Sequence, residues 1–335
     1  MLDYARLFER LANMLDTAIQ ILAIFSMIGV GVVAGKWKWF PEDFSTHLSK
    51  LLLRVFYPSL LFSAILRNYT LSAILKNMVL PLGAAGIIVM GWSVGWVAKR
   101  YFVRHFRAPT RRAFHFSCTM NNYSFLPIMI ISGTALGEKG VAMVALTTIA
   151  SDTLMWTLGF RTFTGSKVRL RTLPALLLRP PILALFSAIC ALFIFHFLGI
   201  TQESLRILPV RVALDTLYKY LGGATIPTSA IVCGMRLAQL DIRGLFSSLQ
   251  LAVAGCRMIL IPALIITILC FLPLSGEERT VFGIIALMPG AMVGVSMAEV
   301  YGGDVPFISA MILNTHVLCL VTVPIGLWVL NTVTV

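Results

Sequence analysis

The sequence predicts an all-α polytopic membrane protein, with about ten transmembrane helices in two inverted five-helix repeats and helices four and nine broken. Three observations predict it. The 335 residues are 58% hydrophobic and only 12% charged, with a mean hydropathy of +0.89, whereas a soluble domain carries about 25% charged residues. That balance excludes an ordinary soluble enzyme. Apolar stretches of about 20 residues, each long enough to cross a hydrocarbon core, recur along the whole chain. Two of them are interrupted, at Cys118–Pro127 by Asn121, Asn122 and Pro127, and at Ala286–Gly294 by Pro289, Gly290 and Gly294. Unpaired backbone groups in lipid cost several kcal/mol, so such breaks survive only where they face protein or a watery cavity. Paired breaks in two halves point to a binding site between them, as in secondary transporters.

In chain order, residues 1–16 mix Asp3, Arg6, Glu9, Arg10 and Asp16 with apolar positions and read as an interfacial helix. They do not resemble a cleaved signal, because the following apolar run is full length and has no small-residue cleavage site. The first repeat is expected over 17–160. Its first span, from about Thr17 to Gly35, ends in Lys36-Trp37-Lys38-Trp39, the cation and aromatic mixture of a membrane boundary. Within it, Gly29 to Ala34 matches a dinucleotide fingerprint as a bare string, but that motif needs a preceding strand. Small residues packing against another membrane helix explain it better.

Span two, about Leu48 to Leu66, holds Tyr57-Pro58, where a kink is expected because proline removes a helix hydrogen bond. Span three covers about Leu75 to Ala98, broken span four about Ala113 to Gly133, and span five about Gly140 to Phe160. A basic loop, 161–179, leads to the second repeat over 180–335. There Pro180-Pro181 opens span six, as prolines do at helix starts. Span seven, about Leu214 to Met235, carries Gly222-Gly223 and Pro227. Span eight, about Leu245 to Leu272, contains Arg257 and Pro262. Broken span nine covers about Val281 to Val300 and span ten about Val305 to Leu330. Leu136-Gly137-Glu138-Lys139 and Tyr301-Gly302-Gly303-Asp304 precede spans five and ten alike, and Pro58 pairs with Pro227.

The net charge of +13 and pI near 9.8 do not point to nucleic acid, because the cations sit in short loops between apolar spans. They orient the chain instead. The loops after spans three and five are the densest in Lys and Arg, which puts both termini outside a plasma membrane. The six cysteines all fall inside spans without CxxC spacing and read as apolar packing residues. No metal or other cofactor is expected. The histidines at 47, 105, 115, 196 and 316 form no HExxH and no catalytic set, so an enzyme is not expected. No GxxxxGK[ST] occurs, and energy must come from ion gradients. A membrane receptor is the reading from another class.

Half-helices that end at mid-membrane present free N–H groups and positive dipole ends, which favour an anion. The candidate contacts are Asn121, Asn122 and Ser124 on the first break. On the second, Gly290, Ala291, Met292 and Val293 offer backbone and shape, while Pro127, Pro289 and Gly294 shape the breaks. The structural alternative is that the amides only satisfy freed backbone groups. Asp152 lies near the middle of span five, and Asn314 with His316 near the middle of span ten. Ionisable groups at such depth usually line a pathway or proton relay. A carboxyl taken from water favours its neutral form, which makes Asp152 a candidate proton carrier, and His316 is a candidate on similar grounds. Arg257 is either the partner of an acid such as Asp152 or a contact for the substrate. Tyr57 and Ser59, beside the expected kink, are candidates for the scaffold side of the cavity.

The run Ala286-Leu287-Met288-Pro289, then Met297 to Asp304, followed by Ser309 and Asn314-Thr315, resembles the end of the auxin efflux carrier family. Leu221 to Ala224, Pro227 and Gly234-Met235-Arg236-Leu237 are similar to that family too, as are Asn122 through Pro127. The resemblance implies a fold shared with the bile acid/sodium symporters, with a scaffold part from helices 1, 2, 6 and 7, a transport part from helices 3–5 and 8–10, and broken helices four and nine crossing at their breaks with the substrate beside the crossing. It implies a bacterial inner-membrane carrier of a small organic anion, a carboxylate such as malonate; the residues themselves suggest coupling to protons, with sodium held by exposed carbonyls at the breaks as the alternative. It also suggests a homodimer through the scaffold. The long cytoplasmic loop of many plant members is missing, which argues against auxin-like acids. The doubled Asn121-Asn122 departs from the family pattern and leaves open which amide takes the usual place.

Overall fold

The computed structural model describes residue 19 and residues 22–165, 178–207, 209–240 and 247–333. The segment 1–16, most of the 161–179 loop and Arg243 lie outside the described residues. Among the described residues the chain is all helical, apart from one isolated β-bridge. Six helices among the described residues are long and apolar enough to cross a membrane.

Helix α1 (Leu22–Lys36) ends at Trp37 and Trp39, exposed rings 5.9 Å apart, where the membrane boundary is expected. Helix α2 (Phe44–Asn68) contains a widened π-turn at Leu52–Phe56. Pro58 has no N–H, and its ring crowds the carbonyl one turn earlier, so a wider turn just ahead accommodates it without breaking the helix. Helix α3 (Leu71–Phe102) starts at Thr70, whose hydroxyl accepts the Ala73 N–H at 3.2 Å. Helices α4 (Ala108–Thr119) and α5 (Phe125–Ser132) are the two halves of the fourth predicted span. Helix α6 (Gly137–Thr164) follows, and α7 (Pro180–Phe197) begins with its two prolines.

Two short helices come next, α8 (Gln202–Ile207) and α9 (Pro209–Thr216). The predicted seventh span is divided among α9, a π-turn at Leu217–Gly222 and α10 (Thr225–Ala238). Helix α11 (Ser248–Phe271) places its π-turn, Cys256–Leu260, just before Pro262, as α2 does before Pro58. The predicted ninth span is again two helices, α12 (Gly276–Ala286) and α13 (Val293–Tyr301). A capping box between Ser275 and Glu278 starts α12. Gly137 and Gly302, at equivalent places in the sequence, both take positive φ, 45° and 69°. Asp304 caps the last helix, α14 (Val305–Val333), by accepting the Phe307 N–H at 3.1 Å. Its other oxygen accepts the Thr110 hydroxyl and so ties α14 to the start of α4.

Small residues set the closest helix crossing. A Cβ on Gly31 would strike the Ile231 carbonyl, and one on Gly234 would strike the Ile28 carbonyl, so α1 and α10 touch through bare backbone. Gly35 extends the seam to Ala238, while Gly29 has nothing within 4 Å. The small-residue reading of this stretch therefore holds at Gly31 and continues to Gly35, while Gly29 takes no part in the seam.

Apolar side chains cover the outside, among them Leu82, Phe186, Phe197, Phe271 and Val321, as expected for a surface that meets lipid. Only 17% of α7 is buried, so that helix stands at the periphery against α2. The deepest residues surround the two helix breaks: Phe114, Phe116, Cys118, Met120, Ala286 and Met288 have no exposed surface.

Candidate functional site

The two broken helices pass each other at their interruptions and complete each other's backbone. Asn121 and Gly290 form an antiparallel bridge. The Asn122 N–H donates to the Pro289 carbonyl at 2.8 Å, and the Ala291 N–H donates to the Met120 carbonyl at 3.2 Å. The Asn121 side chain donates through Nδ2 to the Ile285 carbonyl at 2.6 Å, on the last turn of α12. The Gly290 N–H reaches the Thr315 hydroxyl of α14 at 3.2 Å. This pairing is how groups that lipid could not hydrate are satisfied.

Arg257 occupies the opposite side of the crossing and corrects both readings drawn for it from sequence. It is fully buried, and its guanidinium donates to the carbonyls of Ala286 at 2.9 Å, Met288 at 3.1 Å and Cys118 at 3.4 Å. It lies neither against Asp152 nor in the cavity described below. The ends of α4 and α12 leave carbonyls without helical partners and carry negative dipole character. One planar cation with five donors serves both ends.

The other halves point their N-termini the other way. Neither Ser124 ahead of α5 nor Met292 ahead of α13 folds its side chain back onto the first turn. Both N-termini border a cavity of about 390 Å³. Its polar lining includes Asn122, Ser124, Tyr123, Asp152 and Tyr57, and its apolar lining includes Phe125, Met129, Met155, Trp156, Val232 and Met292. Ala291 and Val293 complete the second break's contribution.

Four cations also face this space: Lys50 and Arg54 from α2, Arg179 just ahead of α7, and Arg236 from the end of α10. Arg236 donates to the Ser49 hydroxyl at 3.0 Å, and the Arg179 guanidinium stacks 3.7 Å over the Trp156 ring. Among the described residues Asp152 is the one carboxylate in the lining. Its Oδ1 accepts the Tyr123 hydroxyl at 2.6 Å, and Arg179 is the cation whose charge it feels. The Tyr57 hydroxyl is buried beside Thr148 and Ser124 without a well-formed bond, and its ring packs 4.9 Å from Phe125.

The residues singled out from sequence thus separate into groups. Asn121, Asn122, Ser124, Ala291, Met292, Val293, Asp152 and Tyr57 line the cavity. The two amides differ: Asn121 is 1% exposed and holds the bridge, while the half-buried Asn122 turns toward the cavity. Gly290 lies behind the lining against Met311, and Gly294 behind it against Phe116 and Ile308. Pro127 and Pro289 are buried in the crossing. Ser59 returns its hydroxyl to the Val55 carbonyl at 2.7 Å, outside the cavity. Asn314 and His316 are buried in α14 away from it, with His316 Nδ1 on the Ile312 carbonyl at 2.8 Å. Asp152 and this pair therefore do not form one relay. The cavity cations and Tyr123 were missed, although Arg179 immediately before Pro180-Pro181 was a usable signal for a charge held at a helix start.

Over residues 17–327 the chain matches the family model described as membrane transport protein. It belongs to that family, the auxin efflux carriers. This agrees with the motif from Pro289 to Asp304, and the family's members are transporters, not enzymes. An uncharacterized transporter of Methanothermobacter thermautotrophicus is 23% identical over 311 residues, covering 91% of this chain and 95% of the relative. Protein PIN-LIKES 5 of Arabidopsis thaliana is 22% identical over 169 residues, covering 46% of this chain and 41% of that protein. Against the plant relative the match spans well under half its length.

Proposed function

We propose that this multi-pass membrane transporter carries a small organic anion, a carboxylate of the malonate class, by alternating access. One observation carries the reading: two uncapped half-helix N-termini and four cations converge on a cavity that, among the described residues, holds a single carboxylate. Helix N-termini and guanidinium groups both favour carboxylate oxygens, the latter through paired N–H donors. The apolar lining suits the body of an organic acid, and about 390 Å³ matches a small ligand. Asn122 and Ser124 are the side chains free to orient it, with Met292 and Val293 closing the opposite wall. Lys50, Arg179 and Arg236 come from the ends that the basic loops assign to the cytoplasm, which supports an inward-facing arrangement with both termini outside a bacterial inner membrane.

Asp152 supplies the coupling in this proposal. Ionised, it competes with the substrate for Arg179; protonated, it leaves Arg179 to the substrate carboxylate. Proton and anion then move together. Sodium coupling is the second reading, and it rests on the Asn121 Oδ1, a buried acceptor with no hydrogen-bond partner at the crossing.

Uptake of mono- and dicarboxylates into liposomes, at two pH values and with or without sodium, tests these readings. Asn122→Ala is expected to raise KM about tenfold, the loss of one hydrogen bond to a charged group. Arg179→Gln is expected to abolish saturable uptake. Asp152→Asn should retain exchange and lose its pH dependence. Unchanged kinetics in all three variants would sink the cavity as the site, and a sodium requirement at fixed pH would replace proton coupling.

A further inference from the structure

A second cavity, of about 500 Å³, lies away from the crossing, between the end of α3, the start of α4 and the end of α6. It is lined by Lys99, Arg100, Arg104, Arg111, Arg112 and His115, with Ala108 and Thr162. Among the described residues no carboxylate lines it. The proposed transport path does not use it, and positive-inside orientation needs cations in a loop but not a basin that gathers them.

Two features show that the basin is built rather than being a chance crowd of charges. Its walls are fixed: His115 is buried, with Nε2 on the Trp92 carbonyl at 2.9 Å and Nδ1 3.3 Å from Lys99 Nζ, while Arg100 lies 3.5 Å over the Trp96 ring. Among the described residues the buried Arg112 Nε also has no hydrogen-bond partner. Like charges held together without a counter-ion repel, and a buried unpaired guanidinium N–H costs free energy. An anion offering several oxygens removes the first penalty.

We propose that this basin binds a phosphate group. The arginines supply forked donors that match phosphate oxygens, and the start of α4, at Ala108, adds its N-terminal dipole. Next to the lining residues in the chain, Trp96, Tyr101, Phe102 and Phe106 are exposed, as aromatic side chains are at headgroup depth. Basic pockets between helix ends at that depth accept phosphorylated lipid headgroups. A soluble phosphate presents the same chemistry to the same donors.

The test uses the full chain in nanodiscs of phosphatidylcholine alone, of phosphatidylcholine with phosphatidylglycerol, or of phosphatidylcholine with millimolar inorganic phosphate, read by melting temperature and by lipid retention in native mass spectrometry. Phosphatidylglycerol raising Tm and being retained, with inorganic phosphate inert, assigns a lipid headgroup; inorganic phosphate raising Tm assigns a soluble anion. Either supports the proposal, provided Arg104→Gln with Arg111→Gln weakens binding at least about tenfold, the loss of one charged hydrogen bond or more. Arg107→Gln removes the same kind of charge just outside the lining and should bind like wild type. Equal loss in Arg107→Gln, or equal stabilisation by chloride, would mean diffuse electrostatics and overturn the site, as would no response in wild type.

Discussion

Arg257 shows how far one side chain can decide a membrane fold. It holds three carbonyls from two helix ends with no exposed surface, so Arg257→Ala removes a charged donor set and opens a void. We expect a loss of roughly 3 kcal/mol or more, seen as a lowered Tm in detergent. Arg257→Lys keeps the charge but cannot fork between carbonyls, and should recover only part of the loss. Asp152→Asn should leave Tm almost unchanged, because an amide oxygen still accepts from Tyr123. Sequence reveals that Arg257 is deep, but depth alone cannot distinguish a cation that serves substrate from one that serves backbone. The same limit applied to Asn121 and Asn122: the break was legible from composition, whereas which amide faces the cavity depends on the register of an extended segment only a few residues long.

At the level of elements, the positions of most helices and both breaks follow from hydropathy, prolines and glycines. What hydropathy cannot show is the widened turn, since a π-turn changes no composition. The cavity cations escaped for a related reason, because Lys50, Arg179 and Arg236 lie far apart in sequence and meet only when α2, α7 and α10 pack. The α1–α10 seam was legible as small residues but not in register. Gly234→Ile should destabilise the fold by about 1–3 kcal/mol or more, since its side chain would meet backbone that cannot move aside. Gly29→Ala should be neutral in the same thermal measurement, because that position faces open space.

Across the whole molecule, the end remote from the basic loops is closed by ion pairs. Arg67, on the last turn of α2, reaches Glu138 of α6 at 3.1 Å and Asp215 of α9 at 2.8 Å, and it stacks 4.3 Å over Tyr218. Arg211 shares Asp215 at 3.0 Å. Lys50 and Arg67 lie roughly 25 Å apart along α2 by helical rise, so the cavity and this cluster occupy opposite ends. Glu138 belongs to the part expected to move, and Arg67 and Asp215 to the part expected to stay. In the proposed cycle Arg67→Ala loosens that closure. A Ser63→Cys reporter, at a fully buried site between cavity and cluster, should label faster with an impermeant maleimide when Arg67→Ala is added. Partly exposed pairs are worth about 1 kcal/mol and are screened by salt, so the increase should be under about tenfold and high ionic strength should reproduce it. Unchanged labelling would assign the cluster to folding alone.

The bridge between Asn121 and Gly290 has a mechanical consequence. A stitch of backbone hydrogen bonds makes two helices from opposite halves of the chain into one lever, because neither break can slide past the other without leaving N–H and C=O groups unpaired away from water. In a carrier working as proposed, the binding face then travels intact, and the barrier to crossing lies where the lever slides on its support. Intrinsic affinity would then be nearly the same on both sides of the membrane. The direction of net flow would be set by the gradients outside the protein and not by any asymmetry in its grip.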